Sequence, residues 1–124
     1  MQQDSAMNDT QRDIDDQLRV VLSAFPQIEL AVLFGSFARG RQRPDSDIDI
    51  AVSAQRPLTA DETIALIEAL AGQTGRAIDL IDLRVAGEPL LGQIVRHGRR
   101  LLGSDSAYGQ LISRHLFEQA DFTQ

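Results

Sequence analysis

Three groups of residues have types and spacings that can do chemistry together. Gly35-Ser36 closes one apolar run, Asp47 and Asp49 alternate along a second, and Asp79 lies inside a third. Carboxylates flanked by Ile48, Ile50 and Val52, or by Ile78 and Leu80, sit in the most apolar parts of the chain. Three acids converging there repel one another unless a cation neutralises them. Hard oxygen ligands of this kind favour Mg²⁺, which binds through one or two carboxylates plus substrate phosphates. Two such ions about 3.5–4 Å apart serve an in-line phosphoryl or nucleotidyl displacement.

Gly35-Ser36 fits that chemistry, because a glycine lets backbone approach a phosphate. The serine hydroxyl and the start of a following helical turn add donors. Arg39, Arg41 and Arg43 lie in the intervening loop, where their charge offsets that of a triphosphate. Taken singly, each element has a plainer reading, since Asp-x-Asp also serves turns and helix caps. Asp82 reads as the start of a turn rather than as a ligand. The joint pattern is what points to a site.

Elements of alternating type must position these residues. Ile14, Leu18, Val21, Leu22 and Phe25 recur at helical spacing from Thr10, and Pro26 ends that first helix. Residues 28–34 read as a buried strand, and residues 36–39 allow only a helical turn that Gly40 stops in the left-handed region. A polar loop over 41–46, containing Pro44, leads into a second strand over 47–52, whose period of two puts Asp47 and Asp49 on one face. Thr59 and Glu62 have capping-box spacing, and a helix through Ile64, Ile67, Leu70 and Ala71 is expected to stop near Gly72. Gly75 opens a turn into a third strand over 77–82. Pro89 starts another helix, with Leu90, Leu91, Ile94 and Val95 apolar and Gly98 past its end. Residues 99–102 read as a short extended piece, and residues 104–122 as a last helix. The order predicts an α+β, mixed α/β domain with few strands.

Composition narrows the classes. The chain has 124 residues and a formal net charge of −6, with 43% hydrophobic and 24% charged residues, which fits one small domain with one core. It has no cysteine, which removes disulfides, a thiol nucleophile and cysteine-held metals, and agrees with a cytoplasmic location. All 12 basic residues are arginine, so a Walker-type loop and lysyl intermediates are excluded. Excess acidity argues against direct nucleic-acid binding. No apolar run approaches the roughly 20 residues that span a bilayer. The polar residues 1–9 lack periodicity and are expected to fray.

Gly35-Ser36-Phe37-Ala38-Arg39-Gly40, followed by Ser46-Asp47-Ile48-Asp49-Ile50-Ala51-Val52, resembles the signature of the nucleotidyltransferase superfamily of DNA polymerase β type. The small size resembles its minimal nucleotidyltransferase (MNT) branch. The resemblance spans about residues 28–83 and implies a nucleotidyltransferase fold, a small mixed sheet with helices packed on one side. It implies ATP as donor, held by Gly35, Ser36 and Arg39, and two Mg²⁺ ions carried by Asp47 and Asp49. Asp79 matches the third family carboxylate, which binds the catalytic metal and helps deprotonate the acceptor hydroxyl. Members of the branch are often antitoxins that neutralise a HEPN-family ribonuclease toxin by moving AMP from ATP to a tyrosine. Two other readings stay open: transfer to a small-molecule hydroxyl, and an antitoxin that acts by binding alone.

Other residues carry plainer expectations. His97 suits the C-terminus of a helix, where positive charge is favourable, and His115 is expected at the surface. Arg96, Arg99 and Arg100 form a basic cluster that either reaches the nucleotide or a partner or is a solvated helix end. Tyr108 is a candidate self-modification acceptor or simply an exposed tyrosine. The last helix, with Leu111, Ile112, Leu116, Phe117 and Phe122, packs on the core or presents part of its apolar face to a partner.

Overall fold

In a computed structural model of the chain, the described residues are 9–41, 43 and 45–122. The frayed stretch expected over residues 1–9 therefore falls outside them, apart from Asp9, as do Pro44 and the side chain of Phe122. The elements run α1 (Asp9–Leu22), β1 (Ile28–Phe34), β2 (Ile48–Ala54), α2 (Ala60–Thr74), β3 (Ile78–Asp82), α3 (Leu90–His97), β4 (Arg99–Leu102) and α4 (Asp105–Phe122).

The four strands form one sheet in the order β3-β2-β1-β4. β1 is antiparallel to both its neighbours, whereas β2 and β3 are parallel, so the sheet is mixed. β1 occupies the middle because only Glu29 among its residues reaches solvent, and such a run belongs where both faces are covered. Alternation then sorts its side chains. Ala31 and Leu33 meet Leu18, Leu22, Leu66 and Leu70 from α1 and α2, while Leu30, Val32 and Phe34 meet Leu91, Ile94 and Leu111 from α3 and α4. Helices thus cover both faces, which corrects the one-sided packing that the family resemblance implies. The apolar residues of α3 and α4 have only the second face left to bury against, since α1 and α2 fill the first.

Local chemistry sets the boundaries. Thr59 accepts from the Glu62 N–H while the Glu62 carboxylate accepts from the Thr59 N–H, at 3.1 and 2.9 Å, which completes the capping box. α2 passes through Gly72 and ends at Gly75, three residues later than its spacing predicts. The left-handed φ of +71° at Gly75 allows its N–H to bond the Ala71 carbonyl and stop the helix there.

Candidate active site

Asp49 lies at the start of β2, and Asp79 is its direct partner in the parallel register with β3. The antiparallel register with β1 sets Phe34, the last residue of that strand, opposite Asp49. Asp47 precedes β2 and is exposed, as is Asp79, whereas Asp49 is half-buried. Burial, the neighbouring charge of Asp79, a hydrogen bond to it and the charge of Asp47 push the Asp49 carboxyl from 3.8 up to about 6. The three expected acids therefore act on one another across the mouth of β2 and β3.

Gly35 turns the chain out of β1 with φ +72°. A Cβ there would stand 2.1 Å from Asp49 Oδ2, so the position has no room for any side chain. Residues 35–40 form a turn rather than the start of a helix. The N–H groups of Arg39 and Arg41 close it by donating to the carbonyls of Gly35 and Ser36, at 3.2 and 2.9 Å. The Ser36 hydroxyl has no partner among the described residues. Arg39, Arg41 and Arg43 are exposed, and their guanidinium groups form no ion pair among the described residues. One end of the sheet thus combines a carboxylate cluster, a hydroxyl and uncommitted cations.

No three acidic or histidine side chains among the described residues form a ready-made metal cage. The donor set still fits Mg²⁺, which usually takes one or two carboxylates and completes its shell with phosphates and water. Burial beside two other acids, which raises the Asp49 carboxyl to about 6, is a cost that a divalent cation would relieve.

Several residues outside the site depart from expectation. His115 is buried rather than at the surface, and its Nδ1 lies 2.5 Å from the Glu88 carboxylate. Gly92 makes room for it, since a Cβ there would meet His115 Cε1 at 2.9 Å. The basic cluster divides. Arg99 pairs bidentately with the buried Asp15 at 2.9 and 3.0 Å and reaches the Ala38 carbonyl at 3.3 Å. Arg100 pairs with Asp105 and stacks over Tyr108, and Arg96 stays exposed like His97. Asp82 holds the N–H of Arg84 at 2.9 Å, the turn role its position predicts. Leu116 and Phe117 are exposed, whereas Leu111 is core.

Sequence reading misses Arg76, whose guanidinium lies 4.9 Å from the Phe37 ring centroid and donates to the carbonyls of Arg43 and Ser46. Its nearest signal is its place just before the strand that carries Asp79. A cleft lined by Leu30, Ser53, Leu83, Arg84 and Arg114 lies further along the same face, away from the carboxylates.

A mixed sheet that brings a glycine-serine turn and strand-borne acids to one end is the scaffold of a nucleotidyltransferase. The chain belongs to the polymerase beta nucleotidyltransferase family, whose model matches residues 16–107. It is 37% identical over 87 residues to the protein adenylyltransferase MntA of Shewanella oneidensis, an alignment covering 70% of this chain and 63% of that protein. A toxin–antitoxin crystal structure with AMP-PNP contains a similar chain, with a TM-score of 0.74, 33% identity and coverage of 86% of this chain and 90% of that one. A tri-AMPylated HEPN toxin of Shewanella oneidensis in complex with MNT antitoxin gives 0.70 and 30%, covering 90% and 91%.

Proposed function

We propose that the chain is a Mg²⁺-dependent protein adenylyltransferase that moves AMP from ATP to a tyrosine hydroxyl of a cognate HEPN-family toxin and so neutralises it. The observation that carries this reading is the Asp49–Asp79 pair, with Asp47 beside it and Gly35 packed against Asp49. The names of the relatives support it, since one is a protein adenylyltransferase and another is an antitoxin solved with an AMPylated toxin.

In this mechanism Ser36 donates to a phosphate oxygen, and Arg39 with its neighbours Arg41 and Arg43 offsets the triphosphate charge. Asp47, Asp49 and Asp79 hold the Mg²⁺, which supplies charge neutralisation at the reacting phosphate. Asp79, the more exposed member of its pair, takes the proton from the acceptor hydroxyl. The hydroxyl oxygen bonds to the α-phosphorus, the α–β anhydride bond breaks, and pyrophosphate leaves. We place the reaction in the cytoplasm, and no helix among the described residues is long and apolar enough to cross a membrane. In α4, the exposed Leu116 and Phe117 are our candidates for contact with the toxin.

The test is to incubate the purified protein with Mg²⁺, each labelled nucleoside triphosphate in turn and the product of the neighbouring gene, and then to record intact masses. One or more AMP units on the neighbour, abolished by Asp79→Asn, is the expected result. A stable complex without added mass would overturn the enzymatic reading in favour of neutralisation by binding.

A further inference from the structure

The site's parts come from separate stretches of chain: the turn at Gly35 and Ser36, the loop that delivers Asp47, and the strand that carries Asp79. Backbone pairing joins β1 to β2 and β2 to β3, but the loop between β1 and β2 lies outside that ladder. Within the loop, the Arg43 N–H bonds the Ser46 hydroxyl at 2.7 Å, and the Ser46 N–H bonds the Arg43 carbonyl at 3.0 Å. These two bonds tie Arg43 to Ser46, and something must orient the tied pair.

Arg76 touches all three stretches. It precedes β3 by two residues, so its backbone is fixed by the strand bearing Asp79. The carbonyls of Arg43 and Ser46 accept from its Nη1 at 3.2 and 3.4 Å, and Ser46 is the residue before Asp47. Its guanidinium faces the ring of Phe37, which is buried and follows Ser36 directly. A planar guanidinium can stack on a ring with its face while its edge donates hydrogen bonds, whereas an ammonium has no planar face to stack.

We propose that Arg76 is a positioning residue that fixes the Asp47 loop and the Ser36 turn against the strand of Asp79. Its link to catalysis rests on the nucleotidyltransferase reading above. Its effect on the loop does not, and the two are measured separately.

The experiment compares the whole protein with Arg76→Met and Arg76→Lys, first by amide hydrogen exchange without nucleotide, then by calorimetric titration with AMP-PNP and Mg²⁺. For Arg76→Met, exchange at residues 43 and 45–47 is expected to quicken about tenfold while α2 and the centre of β1 keep their protection, and the AMP-PNP affinity is expected to fall about tenfold. Arg76→Lys, which keeps the charge without the stack, is expected to fall between. Wild-type exchange in the loop, uniformly faster exchange throughout, or a loosened loop with unchanged affinity for AMP-PNP would each overturn the proposal. If Arg76→Met does not fold, Arg76→Lys is judged by the same criteria. Failure of the wild-type protein to bind AMP-PNP would count against the nucleotidyltransferase reading, while loop exchange in the variants would still decide the positioning role.

Discussion

Asp15 and Asp49 are both carboxylates withdrawn from water in a small acidic protein, and their surroundings are opposite. Asp15, 1% exposed, faces Arg99 in a bidentate pair that joins α1 to β4. Asp49 is half-buried and faces Asp79, with Asp47 nearby, and burial first, then those neighbours, raise its proton affinity. A buried charge that the fold neutralises with its own cation serves the fold, because both partners are satisfied before any ligand arrives. An acid left against other acids is costly until a cation comes from outside, and that marks a candidate functional site.

The largest expected effect separates these roles by activity. Asp49→Asn should lower adenylyl transfer at least about a thousandfold, since metal-held charge at a reacting phosphate is worth several kcal/mol. The same change should raise the melting temperature of the metal-free protein at neutral pH, because it removes a repelled charge. A variant that is both inactive and less stable would break the comparison. Next, Asp15→Ala should cost about 3 kcal/mol in urea unfolding, since it strands Arg99 without its partner.

Smaller and more diagnostic is the pH dependence. Because folding raises the Asp49 value from 3.8 to about 6, the penalty is absent at acid pH, grows as pH rises and is complete above about 6. The melting temperature of the metal-free wild type, measured relative to Asp49→Asn, should therefore fall as pH rises through that value. Mg²⁺ at neutral pH should restore it. The smallest effect concerns a pair of a third kind. Asp105, 99% exposed beside Arg100, can become Asn with no measurable change in melting temperature.

What the sequence makes legible follows distance along the chain. The three long strands and the capping box of α2 follow from periods of two and from caps three residues apart, whereas Asp47, expected on one strand face with Asp49, lies just before β2. The pairing of Asp49 with Asp79 is half legible: both lie in apolar strands, but the parallel register that sets them side by side is a property of the sheet. The burial of His115 is not legible, because the room for it comes from Gly92 on another helix. Asp15 with Arg99, and Arg76 with the Asp47 loop, are likewise contacts between distant stretches, for which helical or strand periodicity carries no signal. The later end of α2 is a local miss, since Gly72 is tolerated inside a helix whereas Gly75 adopts the left-handed turn that ends one.

The strand order has a consequence for how the chain is made. β1 lies at the centre of the sheet and leaves the ribosome before β4, the strand that pairs one of its edges. Until residues 99–102 exist, that edge stays open, lined by a run as apolar as any in the protein, which is the condition under which nascent chains add strands to one another. Closing it also delivers Arg99 to Asp15, so a single late event seals the sheet and ties down the first helix. Nascent chains stopped before Leu102 would accordingly expose an adhesive strand, and it falls to a strand made later to make β1 safe.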